Sequence, residues 1–165
     1  MNISVKKTIG CIAVITMLSG CQTVSVYEPV EVTKIVNIPN HTQSNIYNKT
    51  RQWFSQYFVS GKSVVDYEDK ETGTIIGNAI ASNGTDPSGL IKYDFEYNIR
   101  IDTKDNKFRA MTTIVKHTNT DYTRTYDAVA ITKERQADAE KKVSDIVNQI
   151  KSYVIDNETN ANTDW

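Results

Sequence analysis

The sequence predicts an α+β domain in which an antiparallel sheet of about five strands carries two helices on one face, in the order β-α-β-β-β-β-α. Three observations predict it. Residues 91–102 alternate strictly between apolar and polar side chains, two other stretches place apolar residues at steps of three and four, and clusters of Gly, Asn and Asp separate the remaining apolar runs. A strand with one apolar face and helices with one apolar stripe each satisfy one another when both helices lie on that face.

Residues 1–20 precede this domain and read as a targeting segment. Lys6 and Lys7 are a basic n-region. Ile9 to Leu18 form an apolar stretch shorter than the roughly 20 residues a membrane-spanning helix needs. Leu18-Ser19-Gly20-Cys21 resembles a lipobox, the recognition sequence of bacterial lipoprotein processing. Small Ser19 and Gly20 admit a protease to the bond between Gly20 and Cys21, and the Cys21 thiol takes a thioether-linked diacylglycerol. The resemblance implies a membrane partner through an N-terminal lipid on Cys21. Because Gln22 stands where lipoproteins kept at the inner membrane carry Asp, it also implies an outer-membrane location facing the periplasm. Cys11 leaves with the leader, so the mature chain has no thiol for a disulfide or a metal site.

Residues 21–29 read as a lipidated tether whose extended reach is under roughly 30 Å. Val30, Val32, Val36 and Ile38 then alternate with Glu31, Thr33 and Asn37 as a half-buried strand ended by Pro39, with Lys34 breaking the apolar face. Asn40 and Thr42 are candidate N-caps for a helix. Its stripe is Ile46, Thr50, Trp53, Phe54, Tyr57 and Phe58, and its stop is Gly61.

Ser63, Val65 and Tyr67 open a second strand, Asp69 to Gly73 supply a turn, and Thr74 to Ala81 return. The small residues Gly77, Ala79 and Ala81 leave room for a close neighbour. Ser82 to Gly89 read as a loop. Ile91, Tyr93, Phe95, Tyr97, Ile99 and Ile101 define the apolar face of the long strand, opposite Lys92, Asp94, Glu96, Asn98, Arg100 and Asp102. After a turn at Asp105-Asn106, Phe108 to His117 come back as a strand. Residues 118–131, rich in Thr, Asn, Asp and Tyr, are expected to be a loop with at most a short strand at Val129 to Ile131. Ala139, Val143, Ile146, Val147, Ile150 and Val154 recur at helical spacing, so a last helix runs from about Lys133 to about Ile155, capped by Thr132. The domain thus occupies residues 30–156, followed by a polar tail, 157–165, expected to be disordered.

Ile38-Pro39, Ile46-Tyr47, Trp53-Phe54, Asp69 with Glu71-Thr72-Gly73-Thr74-Ile75-Ile76-Gly77, Tyr93 through Ile101, and Lys104-Asp105-Asn106-Lys107-Phe108-Arg109 together resemble the bacterial domain-of-unknown-function family 4468. The resemblance covers about residues 30–116 and implies a TATA-binding-protein-like (TBP-like) fold. It implies no activity, because the matching residues are turns and core positions.

Chemistry-bearing clusters are few. With 19 Lys and Arg against 20 Asp and Glu, the chain lacks the basic excess that a nucleic-acid partner demands. His41 and His117 have no metal-pair spacing and read as surface or capping residues. Asp66, Glu68, Asp69 and Glu71 crowd a hairpin turn without calcium-loop spacing. No serine or threonine is singled out with a base. No cofactor, metal or catalytic set is therefore expected. The candidate binding face is the polar side of the sheet around Lys92, Glu96, Arg100 and His117, with a groove between helix and sheet as the other location. The expectation is a non-catalytic binding or interaction module of the cell envelope, for an envelope protein or small ligand. The alternatives are a hydrolase of envelope polymers and a lipoprotein that excludes phage or toxins.

Overall fold

In the computed structural model, which describes residues 25–58 and 63–156, the chain forms β1 (Ser25–Val26), β2 (Val30–Asn37), α1 (Gln43–Tyr57), β3 (Ser63–Asp69), β4 (Thr74–Thr85), β5 (Lys92–Lys104), β6 (Lys107–Thr120), β7 (Thr125–Asp127), β8 (Ala130–Ile131) and α2 (Lys133–Asp156). The main sheet is antiparallel, in the order β2-β6-β5-β4-β3, and β7 pairs with β6 to make a sixth strand. Strands β1 and β8 form a separate pair. The expected architecture holds, with six strands in place of about five. The leader, Cys21, Gly61 and the tail from Asn157 lie outside the described residues.

Period-two alternation puts Phe95, Tyr97, Ile99 and Ile101 of β5 on the face under the helices, and all four are buried. Ile46, Tyr47, Trp53 and Phe54 of α1 meet them in one core with Ala139, Val143, Val147, Ile150 and Val154 of α2. Tyr57, on the rim of the α1 stripe, stays exposed and stacks on Trp53 with ring centroids 4.9 Å apart. Lys34 does lie on the helix side of β2. Its stem runs to the edge of the core, and its Nζ donates to Asn148 Oδ1 at 2.7 Å and Ser144 Oγ at 3.3 Å on α2.

The caps follow the expected chemistry. Thr42 Oγ1 accepts from the Asn45 N–H at 3.2 Å, and Thr132 Oγ1 accepts from the Arg135 N–H at 3.3 Å. Asn40 is no cap; it sits at φ +66°, and its N–H donates to Asn106 Oδ1 at 2.8 Å. Around it the β5–β6 turn closes onto the start of α1. Gln43 N–H donates to Asp105 Oδ1 at 2.7 Å and Asn106 N–H to the His41 carbonyl at 2.8 Å. Gly73, at φ +72°, lies against this turn: its carbonyl accepts from both the N–H and the Oγ1 of Thr103, at 2.8 and 2.9 Å.

Three expectations are corrected. β4 continues through Ser82 to Thr85, because a register shift between Ser82 and Thr85 keeps it paired with β5 where the composition reads as loop. Residues 118–127 are β-structure: β6 extends to Thr120 and turns at Asp121 into β7. Polar residues suffice there because the ladder bonds stabilise a short hairpin at a sheet edge. The expected tether is docked from Ser25 onward, with the Tyr27 N–H donating to the Val129 carbonyl at 3.2 Å.

Phe95→Ala is expected to cost roughly 3–5 kcal/mol, as for other buried aromatics. Gly73→Ala is expected to cost roughly 1–3 kcal/mol from the left-handed backbone alone, and more because an added methyl would lie 2.9 Å from the Thr103 carbonyl oxygen. Urea unfolding midpoints of the two variants against the parent protein measure both.

Candidate functional site

The outer face of the sheet, which carries no helix, presents Lys92, Glu96 and Arg100 as the alternation requires. Two of the three are paired with charged neighbours on that face. Glu96 pairs with Lys116 at 3.2 Å, and Lys116 also reaches Asp127 at 3.4 Å. Arg100 donates to Asp102 Oδ1 at 2.9 Å, while Arg109 donates to Asp102 Oδ2 at 2.7 Å and Thr74 to Oδ1 at 3.1 Å. Burial pushes the Asp102 carboxyl up, but the bonds from Arg109, Arg100 and Thr74 outweigh it and hold it below the usual carboxylate range. These are ion pairs of a solvated sheet face, with charges already neutralised across strands.

His117 is not on that face. Opposite Glu96 stands Lys116, but opposite Tyr97 stands Ile114, so Val115 is an extra residue in β6. Such a bulge inverts the alternation beyond it. Phe108, Ala110, Thr112 and Ile114 point inward at even positions, and after the bulge the odd-numbered His117 points inward with 0% exposure. The reading of His117 as a surface residue is therefore wrong. His41 is also buried, with Nδ1 2.8 Å from the Pro39 carbonyl.

Around His117 the structure gathers a polar layer that sequence spacing does not reveal. Its Nε2 lies 3.1 Å from Gln136 Oε1, and Gln136 Nε2 donates to Glu140 Oε1 at 2.9 Å. With Gln136 Nε2 turned to Glu140, its carbonyl oxygen faces the imidazole, an arrangement that favours the tautomer with the proton on Nε2. Tyr27 packs edge-on against the ring with centroids 4.9 Å apart, and its hydroxyl donates to the Ile114 carbonyl. Beside it Arg135 lies 3.8 Å over the Tyr93 ring and donates to Asn119 Oδ1 at 3.0 Å. Asn83 Nδ2 donates to the Arg135 carbonyl at 2.8 Å. Burial pushes the His117 imidazole below its ordinary value of 6.5, the Gln136 bond opposes this, and the Arg135 charge adds to it.

Tyr27, Gln136 and Glu140 of this layer line a cleft of about 500 Å³, together with Glu28, Val30, Thr132 and Lys133. Its polar groups are a phenol, a hydroxyl, an amide, the Lys133 ammonium and two carboxylates, a mixed set of donors and acceptors that suits a small polar ligand. A second groove, of about 600 Å³, runs beside Trp53, Tyr57 and Tyr153 between the helices. No three His, Cys, Asp or Glu side chains among the described residues are grouped to hold a metal ion. The signal for the Tyr27 cleft was faint in the sequence. Tyr27 falls in a stretch without period, and a one-residue bulge leaves no trace in residue types.

The sequence model of a family described as a domain of unknown function (DUF4468) with TBP-like fold matches residues 33–118. No curated protein matches the chain. The chain is similar to the crystal structure of a TBP-like protein from Parabacteroides distasonis, at 18% identity and TM-score 0.58 over 76% of this chain and 92% of that one. It is also similar to a DUF4468 family protein from Bacteroides ovatus, at 19% identity and TM-score 0.54 over 78% of this chain and 87% of that one. At such identities the likeness shows the fold alone.

A lowered His117 pKa ties stability to pH. The unfolded imidazole, near 6.5, binds a proton that the folded one resists, so the unfolded state holds more protons below that value. Stability is expected to be full above pH 6.5 and to fall as pH drops through it toward the lower folded value. His117→Phe should flatten that slope, which denaturant midpoints between pH 5 and 8 would register.

Proposed function

Because the chain belongs to the DUF4468 family, whose fold is TBP-like, we propose that it is a membrane-anchored envelope lipoprotein whose folded domain is a non-catalytic binding module. The observation that carries the anchor is the order Lys6-Lys7, apolar Ile9 to Leu18, and Leu18-Ser19-Gly20-Cys21, followed four residues later by the first described strand at Ser25. The diacylglycerol attaches to the Cys21 thiol first, and cleavage behind Gly20 follows. With Gln22 next, the domain faces the periplasm from the outer membrane. Three acyl chains, at about 0.8 kcal/mol per buried methylene, make detachment negligible, whereas a single myristoyl chain binds only marginally.

The binding reading draws on the Tyr27 cleft. His117, the fully buried imidazole beneath it, is bonded to the Gln136 amide rather than to a hydroxyl nucleophile or an orienting carboxylate. A hydrolytic base needs such partners. The cleft instead gathers a phenol, an amide, the Lys133 ammonium and two carboxylates with no nucleophile–base pair, a lining that suits the binding of a small polar ligand.

Cells fed a radioactive fatty acid are expected to label the wild-type protein, which fractionates with membranes. Cys21→Ala is expected to give an unlabelled, unprocessed precursor held by its leader. A wild-type protein that takes no label and leaves with the soluble fraction would contradict the assignment. Crosslinking in intact cells through a photoreactive group at Glu28, on the cleft rim, should capture the envelope partner or ligand. Capture at an equal level after Tyr27→Ala would detach that partner from the cleft.

A further inference from the structure

The end of the domain nearest Cys21 carries its most exposed apolar side chains. Register places Thr85, Lys92, Thr120 and Thr125 in one row across β4, β5, β6 and β7. Beyond that row project the β4–β5 loop with Leu90 and the β6–β7 turn with Tyr122. At a strand spacing of 4.7–4.9 Å the two tips are roughly 10 Å apart. Val129 lies further back, two residues beyond β7 and beside the β1–β8 pair, its carbonyl bonded to Tyr27. The first turn of α2 lies at the same end, since Arg135 reaches Asn119 and Asn83. Tyr122 is 92% exposed, Val129 75% and Leu90 67%, the three highest values among the large apolar side chains of the described residues.

Both tips are held rigid by their own carboxylates. Asp86 Oδ1 accepts from the Ile91 N–H at 2.7 Å, and Asp86 Oδ2 from the Ser88 N–H at 3.2 Å. Asp121 Oδ1 accepts from the Thr123 N–H at 2.7 Å and the Arg124 N–H at 3.0 Å. With backbone donors satisfied inside each turn, Leu90 and Tyr122 point away from the domain at no cost in unpaired polar groups.

We propose that this end, through Leu90, Tyr122 and Val129, rests on the lipid surface that holds Cys21. The inference rests on the lipoprotein reading above. Three residues separate Cys21 from Ser25, four Cα steps that span at most about 14 Å, so the anchored domain must keep its β1 end at the headgroup level. A tyrosine on one tip and a leucine on its neighbour, with a valine beside β1, is the composition that partitions into a membrane interface. Acidic Asp86, Asp121 and Glu134 lie at the same end as basic Lys92, Arg124 and Lys133 and offset them, so the contact is carried by the apolar side chains and needs no anionic lipid.

The test uses the full lipidated protein in vesicles of neutral phosphatidylcholine, with a nitroxide placed in turn at Leu90→Cys, Tyr122→Cys, Val129→Cys and, at the opposite end of the sheet, Lys70→Cys. Acylation leaves no other thiol to label. Collision with oxygen, which concentrates in lipid, is expected to exceed collision with a water-soluble nickel complex severalfold at the first three sites, with the reverse at Lys70. Nickel access equal to Lys70 at all three sites, in protein that floats with the vesicles, would overturn the docking and leave the anchor intact. Labels reached by neither reagent would assign the surface to a protein contact, and oxygen preference only in anionic vesicles would assign it to charge; either overturns the proposal. Intact mass showing an unacylated Cys21 would instead remove the lipoprotein reading on which it rests.

Discussion

Phe95, Tyr97, Ile99 and Ile101 sit at the centre of the sheet, with a strand bonded on either side and both helices above. No other described strand offers so long a face of uninterrupted apolar side chains. Everything else is arranged to cover it. The aromatic stripe of α1 and the aliphatic stripe of α2 close over that one face, and the opposite face is left to charge pairs such as Glu96 with Lys116 and Asp102 with its two arginines. Once β5 is fixed, the polar outer face is a consequence of the pleat rather than evidence of a site.

That dependence also explains where the interior becomes polar. Val115 adds one residue to β6, and the strand beyond it is offset by one position against β5. Carried on without a bulge, period two would instead turn Lys116 and Thr118 toward α2. With it, His117 and Asn119 come to lie beneath or beside the first turns of α2. Buried polar groups cost free energy unless they are paired. The pairing comes from Gln136, Glu140 and Arg135 on the helix, and Tyr27 closes over the ring. The chain entering from Ser25 is thus fastened to the sheet through a residue that the bulge turned inward, and the cleft forms where that fastening leaves a gap.

The long-range plan was legible because it rests on periodicity. The alternation through Ile101, the α1 stripe from Ile46 to Phe54, the α2 stripe from Ala139 to Val154 and the caps Thr42 and Thr132 are all set by local side-chain chemistry. What escaped depends on register. The polar hairpin of residues 118–127 is held by ladder bonds to β6 that composition cannot announce, and Asn83 reads as loop although its amide is buried against Arg135. Alternation places Lys92, Glu96 and Arg100 on the outer face, as expected, but His117 faces inward, because period two does not carry across a bulge. Tyr27 was assigned to a tether for want of any repeat around it.

The two ends of the sheet differ in how their turns are satisfied. At the end away from Cys21, the polar groups of one element serve another. Asp105 and Asn106 cap the approach to α1, Thr103 binds the Gly73 carbonyl, and Gln43 Nε2 donates to the Glu71 carbonyl at 3.4 Å. Moving any one of them breaks bonds in a second element, so that end behaves as a single unit. At the Cys21 end, Asp86 and Asp121 each satisfy the turn they belong to and nothing else. Such self-contained tips can exchange solvent for another surface without disturbing the core beneath them. An interlocked end needs no partner, whereas self-satisfied tips bearing Leu90 and Tyr122 gain from one, since apolar area left in water is stabilised by any surface that removes it.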